Sequence, residues 1–106
     1  TFDFTTREEF ETRAREQALR FAPQLAGSSF HVRMHRRGYK GQLHRTDEER
    51  MLDRALLADL EARGEPGRIE FVDPDYIVAL ETVDRRAGLS LWNRESRARF
   101  SLLGLD

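Results

Sequence analysis

Apolar residues recur at helical spacing through Phe10, Ala14, Ala18, Phe21, Ala22 and Leu25, the stripe a helix lays against a core. Thr6-Arg7-Glu8-Glu9 fits a capping box, with Thr6 as N-cap and Glu9 three residues on. Pro23 lacks an amide proton and interrupts the run, so the pattern predicts two helical pieces, 6–22 and 23–26, closed by Gly27. From Ser29 to Arg36 the period changes to two. Phe30, Val32 and Met34 fall on one face and His31, Arg33 and His35 on the other, as in a half-buried strand.

Arg37 to Arg45 holds two glycines, Gly38 and Gly41, and reads as a loop. A second capping box, Thr46-Asp47-Glu48-Glu49, opens a helix expected to run to Arg63, with Met51, Leu52, Ala55, Leu56 and Leu60 as its buried stripe. Gly64-Glu65-Pro66-Gly67 stops it. Ile69–Phe71 reads as a short strand before the Asp73-Pro74 break. Tyr76–Val83 and Ala87–Trp92 form a β-hairpin about Asp84-Arg85-Arg86. Arg94–Arg99 reads as a helical turn, and Phe100–Leu105 as an apolar tail. Setting the short 69–71 run aside, the order is helix, helix, strand, helix, strand, strand. The expected fold class is α/β, a small mixed sheet with packed helices, its first two strands parallel through a right-handed crossover.

Length and composition narrow the function. At 106 residues the chain fits one domain with one modest core. The expected division is a core over 6–92 and a C-terminal extension over 93–106. No run approaches the roughly 18 apolar residues of a membrane-crossing helix, and no membrane partner is expected. The absence of cysteine excludes disulfides, thiol catalysis and zinc ribbons, and suits a cytoplasmic protein.

A net charge of −1 argues, as a bulk figure, against a polyanionic partner, but the distribution argues otherwise. Residues 17–46 contain no Asp or Glu and carry Arg20, Arg33, Arg36, Arg37, Lys40 and Arg45, leaving 12 of the 18 basic residues to face all 19 acidic ones elsewhere. His31, His35 and His44 also lie in this stretch. Local fields acting over a Debye length of about 8 Å, rather than net charge, govern docking of a polyanion.

The run Phe30-His31-Val32-Arg33-Met34-His35-Arg36-Arg37-Gly38, the helix from Thr46 through Leu57, and Pro74-Asp75 followed by the alternating Tyr76–Val83 and then Ala87-Gly88-Leu89-Ser90-Leu91 together resemble a THUMP domain. The likeness spans Thr6 to Trp92 and includes the element order. It implies an RNA-binding module of tRNA-modifying proteins. These include 4-thiouridine synthetases, tRNA and rRNA methyltransferases, pseudouridine-type synthases, and THUMP-only adaptors that assist a tRNA acetyltransferase. In that family the module, often behind a ferredoxin-like domain, holds the tRNA acceptor stem and its 3′ CCA end. This chain resembles the module alone and, by size, the adaptors most. The connection from Tyr39 to Arg45 is longer and more basic than the family's.

The RNA-binding residues expected on this basis are Arg33, His35, Arg36, Arg37, Tyr39, Lys40 and Arg45. The arginines and Lys40 would neutralise phosphates, and Tyr39 would stack on an unpaired base, with Trp92 and Tyr76 as further aromatic candidates. Helix-start amides near Thr46–Glu49 would add an anion site, opposed by Asp47, Glu48 and Glu49. Arg94, Arg97 and Arg99 would either extend the RNA surface or form a solvated helix face.

Other chemistries fare worse. Gly38-Tyr39-Lys40-Gly41 matches the GXXG loop of KH domains but follows a strand instead of joining two helices. The face of His31, Arg33 and His35 lacks the aromatics of an RRM. His31 and His35 are four residues apart on a strand, about 13 Å, with a cation between them, so no metal site is expected. Glu8/Glu9 and Glu48/Glu49 are explained by helix capping, Ser28 and Ser29 by a turn. No nucleophile elbow or phosphate loop occurs, so neither catalysis nor a cofactor is expected. The expected partners are tRNA and a tRNA-modifying enzyme. The rival expectation is a protein–protein adaptor docking through Phe100–Leu105.

Overall fold

A computed structural model of the chain describes residues 1–37 and 43–99. The elements in order are β1 (Phe2–Asp3), α1 (Arg7–Leu19), α2 (Ala22–Leu25), β2 (Ser29–Arg37), α3 (Arg45–Ala62), β3 (Arg68–Ile69), β4 (Tyr76–Val83), β5 (Arg86–Asn93) and α4 (Arg94–Arg99). Among the described residues the strands form one mixed sheet in the order β1-β5-β4-β2-β3. β2 runs parallel to β4 over Phe30–Arg37, and β4 pairs antiparallel with β5. The expected α/β class and the parallel crossover through α3 are both present. β1, which no alternation announces, pairs antiparallel with β5 and brings Phe2 and Phe4 into the core beside Phe10.

The core lies between α1, α3 and one sheet face. Phe10, Ala14 and Ala18 of α1 and Leu52, Leu56 and Leu60 of α3 meet Phe30, Val32, Met34, Val78 and Leu80. Their burial is the main favourable term, about 25 cal/mol per Å² of apolar surface removed from water. The opposite face is partly met by α4, where Ile77, Arg94, Arg97 and Ala98 line one cleft.

Several boundaries differ from the sequence reading. The first helix ends at Leu19 instead of 22, and Pro23 sits in the opening turn of α2, where a missing amide proton costs nothing. The Thr6 cap forms, with the Glu9 amide donating to Thr6 Oγ1 at 3.1 Å, while the Glu9 carboxylate accepts from the Thr5 amide at 2.7 Å. The second capping box does not form. α3 starts at Arg45 behind His44, because burial of Leu43 turns the chain into the helix early and places Thr46 inside the first turn.

α3 stops as the glycines predict. Gly64 takes φ 74°, the Gly64 amide donates to Glu61 O and the Glu65 amide to Leu60 O, the paired bonds of a Schellman motif.

Candidate nucleic-acid interface

β3 pairs with β2 only at Ser29 and Phe30, so among the described residues the outer edge of β2 beyond that point lacks a strand partner. α3 supplies acceptors instead. The Val32 amide donates to Asp53 Oδ1 at 2.9 Å and the Met34 amide to Glu49 Oε2 at 2.8 Å. The spacing explains the match: four helical residues rise about 6 Å and two strand residues about 6.6 Å. Side chains thus cover an edge that would otherwise recruit another strand.

The same contacts redistribute charge. Glu49 is not a capping residue; its carboxylate is consumed by the sheet edge. Glu48 is also not a helix-start anion. It is fully buried against α1, where Glu11 and Arg7 lie, with Arg7 Nε 3.5 Å from Glu48 Oε2. Burial, and then the shared hydrogen bond with Glu11, push the Glu48 carboxyl up to about 8, so it is largely neutral at pH 7. The hydrogen bond from Glu48, with Arg7 beside it, holds Glu11 below the usual carboxylate range. Two of the three acids expected to repel an anion are therefore withdrawn, and Asp47 alone stays exposed.

At this end of the sheet Met34, His35, Arg36, His44, Arg45 and Thr46 line an open, mainly polar cleft of about 510 Å³. It lies where β2 ends and α3 begins. The α3 N-cap, His44, makes no side-chain hydrogen bond to the helix amides.

The sequence-predicted residues divide by strand face. Arg33, His35 and Arg37 share the face opposite the core, in register with Ala79, Glu81 and Val83, whereas Arg36 shares the core side with Met34. Arg36 is not a free phosphate ligand: its guanidinium donates to the Leu43 carbonyl and so ties the loop's return to the strand. Arg37 and Arg45 are exposed, and Arg37 O accepts from the Asp84 amide at 2.7 Å. Arg33 lies toward the far end, donating to Phe71 O at 3.3 Å. Tyr39 and Lys40, and the Gly38–Gly41 motif with them, lie outside the described residues, as does Phe100–Leu105. His44 and Thr46 line the cleft without having been among the expected RNA-binding residues; the acid-free stretch that contains them was the available signal.

Several other expectations are corrected. His31, on the same strand, is engaged internally: its Nδ1 lies 3.0 Å from Asp53 Oδ2 and its ring packs edge-on against Phe71 at 4.7 Å. Ser29 is a buried strand residue, not a turn residue. Its amide donates to Asp75 Oδ2 at 3.0 Å, and its hydroxyl accepts from the Asp75 amide at 2.8 Å. The first of these bonds holds the Asp75 carboxyl below its ordinary value.

Arg97 is buried and not part of a solvated helix face, while Arg94 stays exposed but is engaged by the Asp73-Pro74-Asp75 segment. Arg94 donates to Asp73 O at 2.9 Å, and the buried Arg97 donates to Pro74 O. The Trp92 indole donates to Ser90 Oγ at 2.9 Å, and Tyr76 packs against the core. No helix of the described residues is long and apolar enough to cross a membrane.

No protein-family model matches the sequence, and no curated protein does. The fold has counterparts among solved structures. The solution structure of the THUMP domain of THUMP domain-containing protein 1 matches with a TM-score of 0.65 at 15% identity, over 85% of this chain and 91% of that one. PH1313 from Pyrococcus horikoshii Ot3 matches with a TM-score of 0.65 at 11% identity, over 86% of this chain. TrmN from Thermus thermophilus matches with a TM-score of 0.55 at 25% identity, over 90% of this chain. The chain spans 29% of the length of PH1313 and likewise of TrmN. The chain therefore has the fold of a THUMP domain.

Proposed function

We propose that the chain is an RNA-binding module that holds tRNA by its acceptor stem and 3′ end and presents it to a modifying enzyme supplied by another chain or domain. It acts as a binding module and not as a catalyst. Recognition runs through phosphates and shape, with little base readout.

The observation that carries this reading is the basic cleft between β2 and α3. Arg45 on its rim and Arg37 at the strand end face solvent, while Glu48 is buried and Glu49 is engaged by the Met34 amide on the strand edge. The proposed contacts are Arg37 and Arg45 to phosphates, His35 beside Arg37 on the same strand face, and Tyr39 and Lys40 from the connecting loop; Arg33, engaged by Phe71 O at the other end of the strand, lies outside the contact set. Arg36 has a positioning part, since it holds Leu43 and hence the start of α3. The THUMP fold supports the reading independently of charge.

The test is an electrophoretic binding assay with whole tRNA, a minihelix ending in CCA, and the same minihelix without that end, over a salt series. Binding that weakens steeply with salt and falls on removal of the CCA end is expected. Absence of salt-sensitive binding to any of the three overturns the proposal.

A further inference from the structure

The buried carboxyl of Glu48 has no part in covering the sheet edge and does not line the cleft, yet it sits in the first turns of the helix that builds one cleft wall. Neither of its oxygens has a conventional donor among the described residues, and both are fully buried. An unpartnered buried carboxylate carries a large desolvation cost. Besides Arg7, whose Nε stands 3.5 Å from Oε2, the group within reach is another carboxyl, Glu11 of α1, on the other side of the α1–α3 interface. Two carboxylates in contact repel, whereas one carboxylate and one carboxylic acid form a short charge-assisted hydrogen bond.

From α1, Arg7 faces the pair, 3.5 Å from Glu48 Oε2 and 3.0 Å from Glu11 Oε2, while Arg15 acts on Glu11. From α3 itself, Asp47 adds negative charge nearby. Arg7 is half exposed and already engaged by Glu11, so it offsets one negative charge more readily than two.

We propose that Glu11 and Glu48 share a single proton across the α1–α3 interface as a latch on the first turns of α3, and that losing this proton to solvent loosens the cleft wall. The part concerning RNA rests on the function proposed above; the latch does not. The direction follows from the elevated Glu48 carboxyl. Folding takes up a proton, so this group's contribution to stability is complete below the ordinary glutamate range. It declines as pH rises from there to about 8 and is constant beyond.

The experiment compares the wild type with Glu48→Gln, an uncharged isostere that can still donate to Glu11 and leaves every other titrating group in place. Backbone hydrogen exchange over 45–52, corrected for intrinsic rates, and the urea midpoint are followed from about pH 5 to 9. Protection of these amides is expected to fall about tenfold more in the wild type than in the Gln variant across that range. Glu11→Gln, which offers Glu48 an amide donor in place of a proton acceptor, is expected to move the response to lower pH.

Identical pH profiles in the wild type and Glu48→Gln overturn the latch; should that variant fail to fold, an unshifted profile in Glu11→Gln overturns it alone. In parallel, tRNA affinity is expected to fall with rising pH in the wild type more than in Glu48→Gln. A pH-dependent, Gln-suppressed loosening in a protein that binds no RNA upholds the latch and overturns the function it was proposed to serve.

Discussion

The two ends of β2 carry similar residues to opposite effect. At the Ser29 end the polar groups are spoken for internally. Ser29 exchanges two hydrogen bonds with Asp75, His31 meets Asp53 and Phe71, Arg33 reaches Phe71 O, and Arg94 and Arg97 hold the Asp73-Pro74-Asp75 segment. At the Arg37 end His35, Arg37, His44 and Arg45 stay exposed, and among the described residues none of them has an ion pair. The difference comes from the acids. Near Ser29 the chain supplies Asp53, Asp73 and Asp75 within reach, whereas at the far end Glu48 is buried, Glu49 is engaged by the Met34 amide, and the exposed Asp47 and Glu81 form no ion pair with these cations among the described residues. A basic run in sequence becomes an available surface only where no internal acceptor meets it.

Breaking the closed end has the largest expected effect. Asp53→Ala leaves the Val32 amide without its acceptor on a buried edge and removes the His31 partner, a loss of about 2–3 kcal/mol. Urea denaturation at constant m-value measures it. The salt dependence of tRNA binding is expected to stay unchanged, because no cation of the open end is touched. A stability within about 0.5 kcal/mol of wild type contradicts the edge-covering role of Asp53.

The open end is sharpened by a paired comparison. Arg37→Ala with Arg45→Ala is expected to reduce the log–log salt slope of tRNA binding by about 1–2 with little change in stability. Arg33→Ala with Arg94→Ala removes the same charge from the closed end. It is expected to leave the slope within error and to lower stability by up to about 1 kcal/mol. Equal slope changes in the two double variants erase the distinction between the ends.

Much of this architecture was legible in the residues themselves. The alternation over Ser29–Arg36 gave the strand and its buried face, and the Phe10–Leu25 stripe gave the helical layer. Gly64 marked the end of α3 because its backbone conformation suits glycine. The basic stretch was legible too, but not its division. Which of Arg36 and Arg37 points outward depends on the pleat continuing one residue past the expected strand end. The start of α3 was misplaced because Thr46–Glu49 satisfies the capping-box pattern locally, while the buried Leu43 and Glu48 decide the boundary through tertiary contacts. The Glu11–Glu48 and Met34–Glu49 contacts join residues 37 and 15 positions apart, beyond any periodicity. Arg97 misled for the same reason: it is buried, and its acceptor, the Pro74 carbonyl, lies 23 residues away.

The smallest expected effect lies in acid, again at the closed end. The Ser29 amide and hydroxyl hold the Asp75 carboxyl below its ordinary value, with Arg94 nearby. A depressed folded-state value means the unfolded chain binds the proton first. The contribution is therefore present above the usual aspartate range, about pH 4, and is lost as pH falls through the folded-state value. Asp75→Asn keeps one acceptor for the Ser29 amide and removes the titration. The urea midpoints of wild type and Asp75→Asn are expected to converge as pH is lowered from about 5 to 3, with the gap largest at the upper end. Because Asp75 is part exposed, solvent screening keeps the gap small. A gap that widens toward low pH would reverse the sign and remove Asp75 from the set of acids that close this end of the strand.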